Sequence, residues 1–359
     1  MQYRELGRTG LQVSAACLGT MMWGEQNDEA FGHAQMDMAL DRGVNFFDTA
    51  EMYTVPPKPD TQGETERIIG AWFKARGNRD KVVLATKIAG RSPMIWTRQG
   101  GVSANDGPLD GGMTRQTRQQ IDYAIMASLK RLQTDYIDLY QLHWPDRGYA
   151  GFGFQTYRDY ADTGEWEKFE TILESLDAHV KAGRIRHIGV SNESPWGVMR
   201  FIAESERRGL PRMASIQNAY NLVNRSFETG GLAEIALREQ VGLLAYSPLG
   251  QGYLTGKYRH GAVPEGSRKK LFQRLNRYEG VGADAAINAY LDLAAEMGVT
   301  PTALALKFVD TRPWTTSTIF GATTVMQFEA DMAAFDLTWN DEIQKRVDDI
   351  HKARPNPCP

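Results

Sequence analysis

The chain has 359 residues, of which 42% are hydrophobic and 24% charged, with a formal net charge of −3. This near-neutral balance, without a basic run, argues against nucleic acid or an anionic membrane surface as partner. No stretch approaches the ~18 uninterrupted apolar residues of a bilayer span, and the opening Met-Gln-Tyr-Arg-Glu-Leu-Gly-Arg-Thr-Gly lacks the apolar core of a signal peptide. The two cysteines, Cys17 and Cys358, read as free thiols, so the expectation is a soluble cytoplasmic protein.

Two short polar-apolar pieces around Gly7-Arg8-Thr9-Gly10, within 3–13, predict a β-hairpin ahead of the main fold. Strand-like runs follow at 15–19, 44–47, 82–85, 136–142, 185–190, 214–216, 242–246 and 317–320. Helical periodicity alternates with them at 28–42, 64–76, 115–132, 166–182, 195–208, 232–240, 283–297 with 301–309, and 325–333. Eight strands, each followed by helix, predict an α/β fold, the (β/α)8 TIM barrel. With no interior composition shift to mark a linker, 1–359 reads as one domain. Loops at the N-terminal ends of the strands are short. Three at the C-terminal mouth are long, at 88–113, 144–165 and 247–282, and read as lids or clasps. Tyr149, Phe152, Phe154, Tyr157 and Tyr160 in the second read first as aromatics packing that loop onto the barrel. A helix at 341–351 and a lightly packed or disordered Pro-rich segment, 354–359, close the chain.

Four side chains at strand ends carry the chemistry. Alternation places Lys87 on the face of Val83 and Ala85, and His143 on the face of Leu139 and Gln141; in a barrel that face points inward and upward to the mouth. Asp48 follows Val44 and Phe46 in the same way, and Tyr53 lies five positions later, within reach of the opening. A phenol is a poor acid at neutral pH, and an adjacent ammonium stabilises its anion. Lys87 can supply that charge while Asp48 holds Lys87 ionised. Tyr53 then serves as proton donor to an oxygen gaining charge, with His143 hydrogen-bonding the same oxygen. Carbonyl reduction by hydride needs this set and a nicotinamide, because no side chain delivers hydride. Singly, each residue has a plainer reading: a structural ion pair, a packing tyrosine, a core histidine. Convergence on one mouth favours catalysis. A metal-dependent barrel hydrolase would need several ligands at strand ends; of six histidines only His143 sits at a mouth, His187 reads as core, and no metal site is expected.

At these residues the chain resembles the aldo-keto reductase superfamily over nearly its whole length. The resemblance rests on Gly-Arg-Thr-Gly-Leu-Gln-Val-Ser at 7–14, Phe-Phe-Asp-Thr-Ala-Glu-Met-Tyr at 46–53, and Thr86-Lys87. It continues through Ser-Leu-Lys-Arg-Leu-Gln-Thr-Asp-Tyr-Ile-Asp-Leu-Tyr-Gln-Leu-His-Trp-Pro at 128–145 and Gly-Arg-Ile-Arg-His-Ile-Gly-Val-Ser-Asn at 183–192. Gln217-Asn218, Tyr246-Ser247-Pro248-Leu249 and Gly321-Ala322-Thr323-Thr324 complete it. The aromatic loop after Trp144 and Asn-Arg-Ser-Phe-Glu at 224–228 are similar to the Tas-type bacterial branch.

The resemblance implies a TIM barrel with NADPH across its mouth and Asp48, Tyr53, Lys87 and His143 as catalytic tetrad. It implies that Ser191, Asn192 and Gln217 hold the nicotinamide carboxamide and that Tyr246 stacks on the ring, followed by Ser247 and Pro248. Leu249, Gly250, Leu254, Lys257 and Arg268 would fold over the pyrophosphate; Gly321, Thr323 and the next helix would receive the 2′-phosphate. Gln327 and Asp331 depart from the arginine and asparagine common there, which leaves NADH possible beside NADPH. A small carbonyl compound is the implied substrate, with Trp23, Met52, Trp96, Trp144 and Phe152 as candidate walls. The alternative is a non-catalytic nicotinamide-sensing subunit resembling the potassium-channel β subunits. Those carry asparagine at the position of His143, so the histidine favours an enzyme.

Overall fold

The structure is a computed structural model and describes residues 1–98, 112–148, 166–272 and 276–359. The aromatic positions Tyr149, Phe152, Phe154, Tyr157 and Tyr160 lie outside the described residues. Strands β1 (Tyr3–Glu5) and β2 (Gln12–Ser14) form an antiparallel hairpin with Tyr3 opposite Ser14. Eight parallel strands then close a barrel: β3 (Ala16–Gly19), β4 (Phe46–Asp48), β5 (Val83–Ile88), β6 (Ile137–Leu142), β7 (Ile185–Ser191), β8 (Met213–Ala219), β9 (Gly242–Tyr246) and β10 (Thr315–Phe320). They neighbour one another in chain order, and β10 returns to β3. The expected TIM barrel and its preceding hairpin are both present.

The helices are α1 (Glu29–Asp41), α2 (Glu64–Arg76), α3 (Arg118–Leu132), α4 (Phe169–Lys181), α5 (Pro195–Arg208), the short α6 (Ser226–Thr229) and α7 (Leu232–Glu239). After them come α8 (Arg268–Phe272), α9 (Ala283–Glu296), α10 (Pro301–Asp310), α11 (Val325–Ala333) and α12 (Asp341–Ala353). Side-chain caps start several of them: Asp28 accepts from the Phe31 N–H, Ser194 from Gly197, Thr300 from Ala303 and Asn340 from Ile343. Each such cap contributes about 1 kcal/mol. Pro195 and Pro301 open their helices where no N–H is needed.

Period-two alternation divides the strand side chains between two cores. Leu18, Phe47, Leu84, Tyr140, Ile188 and Leu243 point outward into the layer shared with the helices. Cys17, Phe46, Val83, Ala85, Leu139, Ala214, Leu244 and Ile319 fill the lumen, and Leu6 and Val13 of the hairpin close it from below. The lumen is therefore a packed plug whose upper end is left to polar groups. At the opposite end Asp138 accepts hydrogen bonds from Arg79 at 2.7 Å, Arg186 at 2.8 Å and the Leu84 N–H at 3.0 Å, with both guanidinium groups 4.0 Å from the Tyr136 ring.

Three expectations change. The 247–282 loop is largely built of short helical turns, Gly250–Thr255, Arg259–Gly261, α8 and Asn276–Tyr278. Glycines and short polar runs there hide any amphipathic period. The segment after α12 is docked rather than lightly packed: Cys358 is fully buried, its N–H donates to the Val223 carbonyl at 3.1 Å, and Asn356 accepts from the Arg225 N–H at 2.6 Å. His187 is half-buried on β7, not a core side chain. Both cysteines are free thiols and buried.

Candidate active site

The four strand-end side chains converge above the plug. β4 stops at Asp48, but the chain beyond keeps bonding to β5, with the Thr49 N–H on Ala85 O at 2.9 Å and the Glu51 N–H on Lys87 O at 3.2 Å. This extension, closed by the Tyr53 N–H on Ala50 O, turns Tyr53 back over Lys87. Lys87 is fully buried and donates to Asp48 Oδ2 at 2.7 Å, to Thr49 O at 2.7 Å and to the Tyr53 hydroxyl at 3.4 Å. The other oxygen of Asp48 accepts from Gln217 Nε2 at 2.8 Å and Gln141 Nε2 at 3.3 Å. His143, just past β6, sets its ring against Tyr53 edge-on with centroids 5.7 Å apart.

Burial sets the protonation states. It works to lower the Lys87 pKa, yet Asp48 and Tyr53 hold that ammonium above its usual value. Burial lifts the Tyr53 pKa, and Asp48 adds to the lift, so the downward pull of Lys87 does not prevail. This corrects the expectation of a phenol made more acidic: the ammonium is already neutralised by Asp48, and the phenol has lost its water. Tyr53 is thus a proton store, fully loaded at neutral pH. His143 is pushed well below the ordinary imidazole range by burial and then by Lys87, so its ring is neutral and can donate through one nitrogen.

Around this core lie the residues expected to hold a nucleotide. Ser191 Oγ donates to Gln217 O at 2.8 Å, and Asn192 Nδ2 donates to His143 O at 2.8 Å and Ser191 Oγ at 3.1 Å. Tyr246 donates its hydroxyl hydrogen to Asn192 Oδ1 at 2.6 Å. Gln217 thus reaches Asp48, linking a residue expected at the carboxamide to the acid beneath the lysine. After Tyr246 the backbone turns through left-handed values at Ser247 (φ 54°), Gly250 (φ 55°), Gln251 (φ 54°) and Gly252 (φ 102°). A Cβ on Gly252 would lie 2.5 Å from Lys257 Cε, and one on Gly250 would lie 3.2 Å from the Tyr278 ring. Pro248, Leu249 and Leu254 belong to this turn, Leu254 being buried in it.

Lys257 lies against Gly252 of the turn, and the charge of Arg268 reaches it. Burial lowers both pKa values, and Arg268 lowers that of Lys257 further. No carboxylate bonds to either among the described residues. Asp331 is buried near Lys257, and burial lifts its carboxyl to about 8, so it is neutral at pH 7. A neutral acid does not repel a phosphate. Gln327 accepts through Oε1 from the Thr323 N–H at 2.9 Å and the Thr323 hydroxyl at 3.0 Å, helping Thr324 cap α11 beside Gly321. Its side chain is spent on the helix start rather than offered as charge.

Two cations near the turn without a bonded acid among the described residues, a cradle that a Cβ would fill, and buried His143 Nδ1 and Asn218 Oδ1 without a partner among them fit a phosphate-bearing nucleotide. Among the described residues no group of three or more His, Cys, Asp or Glu could hold a metal ion.

Of the candidate substrate walls, Met52 and Trp144 cluster with Tyr53, Ala50 and Ala89, joined by Met21, Val55 and Met94, which the sequence reading did not single out. Trp96 is half-buried in the turn after β5. Trp23 is not a wall: its ring is buried against Gly32 of α1, and its N–H donates to Gln35 Oε1 at 3.1 Å. Two further buried residues support the site. Glu51 accepts from the Ala89 N–H at 2.7 Å and from Arg98 at 2.6 Å, bracing the Tyr53 loop against the segment after β5. Glu51 was visible inside the 46–53 motif, whereas nothing local marked Arg98 as its partner.

A barrel with this mouth defines a class, and the comparisons agree: the chain belongs to the aldo/keto reductase family, whose family model matches residues 15–352. It is similar to "Protein tas" of Escherichia coli (strain K12), with 44% identity over 359 residues and 100% of both chains covered. It is 36% identical over 352 residues to "Uncharacterized oxidoreductase YrpG" of Bacillus subtilis (strain 168), covering 98% of this chain and 96% of that one. A "Probable voltage-gated potassium channel subunit beta" of Arabidopsis thaliana is 30% identical over 342 residues, covering 94% and 92%. Family and oxidoreductase-named relatives support an oxidoreductase role of a general kind. No described helix is long and apolar enough to cross a membrane.

Proposed function

We propose that this chain is an NADPH-dependent aldo-keto reductase, one barrel domain over 1–359, reducing small aldehydes or ketones to alcohols. The observation that carries the reading is the fully buried Lys87 ammonium bonded to both the Asp48 carboxylate and the Tyr53 hydroxyl. The bound nicotinamide supplies the hydride. Tyr53 donates its proton to the carbonyl oxygen as that oxygen gains charge, and Lys87 stabilises the phenolate left behind. Asp48, fixed by Gln217 and Gln141, keeps Lys87 charged and aimed. The neutral His143 ring donates a hydrogen bond to the same oxygen and orients the carbonyl. Lys257 and Arg268 hold phosphate, Arg268 by a two-pronged grip. The Met52, Met94 and Trp144 wall suits an apolar carbonyl compound.

The test is titration by intrinsic tryptophan fluorescence with NADPH and then NADH, followed by a carbonyl panel scored on loss of nicotinamide absorbance. Tighter binding of NADPH with turnover of one aldehyde is the expected result. Tight binding with no turnover on any carbonyl would overturn the enzyme in favour of the nucleotide-sensing alternative.

A further inference from the structure

The segment after α12 reaches the nucleotide cradle through an unbroken hydrogen-bond relay. The Cys358 N–H donates to Val223 O at 3.1 Å; the Val223 N–H donates to Asn221 Oδ1 at 3.0 Å; Asn221 Nδ2 donates to Ser247 O at 2.9 Å. Asn221 is fully buried, and its Nδ2 also donates to the Tyr278 hydroxyl at 3.2 Å. A second tie, from the Arg225 N–H to Asn356 Oδ1 at 2.6 Å, fixes the same segment to the chain just past β8.

The relay ends on the most conformationally demanding part of the mouth. Ser247 is a non-glycine residue in the left-handed region, a strained state that persists only where neighbours over-determine it. Asn221 holds its carbonyl from one side. Tyr278, buried and stacked on Tyr253 with centroids 5.9 Å apart, backs Gly250 so closely that a Cβ there would touch its ring. Burial works to lower the Arg277 pKa, yet Tyr246 and Tyr278 both lie close enough to raise it. The strained turn, its aromatic backstop and Tyr246 thus share one anchor, and that anchor is held in turn by residues 356–358.

We propose that Asn356 and the 355–359 segment, acting through Asn221 and Tyr278, are positioning residues that hold the Tyr246–Gly252 turn in its nucleotide-binding shape and so set how long NADPH stays bound. The inference rests on the nucleotide reading above. These residues touch no reacting atom. Their removal relaxes Ser247 towards ordinary backbone values and lets the turn open, while Asp48, Tyr53, Lys87 and His143 stay on the other side of the barrel mouth.

The experiment is stopped-flow tryptophan fluorescence of NADPH release from the intact chain, a chain lacking residues 355–359, Asn356→Ala, and Lys352→Ala on the exposed face of α12 as control. The shortened chain is expected to release NADPH about tenfold faster, with Kd and the KM for NADPH raised to match. Its KM for the carbonyl, measured at saturating NADPH, is expected to hold. Asn356→Ala shifts release in the same direction by less, and Lys352→Ala does not shift it. A shortened chain whose melting temperature drops while release is unchanged makes the segment merely structural and overturns the proposal. Should that chain fail to fold, Asn356→Ala decides: unchanged release overturns it. An intact chain that binds neither nicotinamide nucleotide strikes the cofactor reading itself and takes this inference with it.

Discussion

The two ends of the barrel use the same kinds of residue to opposite effect. At the lower end Asp138 is shared by Arg79, Arg186 and a backbone N–H, and the guanidinium groups are further covered by Tyr136. At the mouth Asp48 also meets a buried cation, but the surroundings are left unfinished. Among the described residues His143 Nδ1 has no partner and two cations near the turn lack a bonded acid, and Ser247 and Gln251 sit in strained backbone. Satisfied networks hold a fold together; unsatisfied ones keep capacity for a ligand.

The comparison breaks most sharply at the mouth. Tyr53→Phe removes the proton donor and keeps the ring, so turnover is expected to fall about 10²–10⁴-fold while NADPH still quenches tryptophan fluorescence. Lys87→Met should match it by removing the charge that stabilises the Tyr53 phenolate; a Lys87→Met enzyme with wild-type pH dependence would sink that part of the mechanism. At the other end, Asp138→Ala leaves the Leu84 N–H without its acceptor and half-buried Arg79 without its carboxylate, and is expected to cost about 1–3 kcal/mol in chemical denaturation, with kcat/KM at low temperature retained. If Asp138→Ala instead abolished turnover in a folded protein, the division between the two ends would fail. Arg268→Ala should weaken NADPH about tenfold and NADH less, read from paired titrations.

A pH-dependent effect sharpens the comparison. Asp331 has its folded pKa raised from 3.8 to about 8, so the folded state holds a proton that the unfolded chain gives up between those values. Its burial therefore costs stability progressively as pH rises from about 4 to 8, and the loss is complete above that. Asp331→Asn should raise the melting temperature more at pH 9 than at pH 6, and should flatten a decline in NADPH affinity between those pH values. A variant equally stabilised at both would mean that Asp331 is not held protonated. Likewise, with His143 depressed and Tyr53 raised, reduction should show no ionisation limb near pH 6.5.

Much of this was legible locally. Most barrel strands stand out as short apolar runs, and Asp48, Lys87 and His143 as polar residues at the ends of such runs. What escaped the sequence was the set of properties that depend on distant partners. Nothing near Asn356 names Arg225 as its contact, and nothing in the 247–282 glycines predicts that Asn221 steadies Ser247. Trp23 looked like a pocket wall because it is large and near a strand end; only the packing of α1 decides which way its ring turns. The protonation of Tyr53 failed for the same reason, since charge proximity can be guessed from spacing, but the loss of solvent is set by the whole fold.

The hairpin beneath the barrel has a consequence for traffic. With Leu6 and Val13 sealing the lower end over the packed lumen, the barrel is a cup rather than a pipe. If the proposed reduction is right, substrate entry, alcohol exit and the arrival of a fresh proton for Tyr53 all share one doorway. Under this mechanism the enzyme cannot be recharged from behind while product still sits in front, so the departure of the alcohol and the reloading of the acid become one queue.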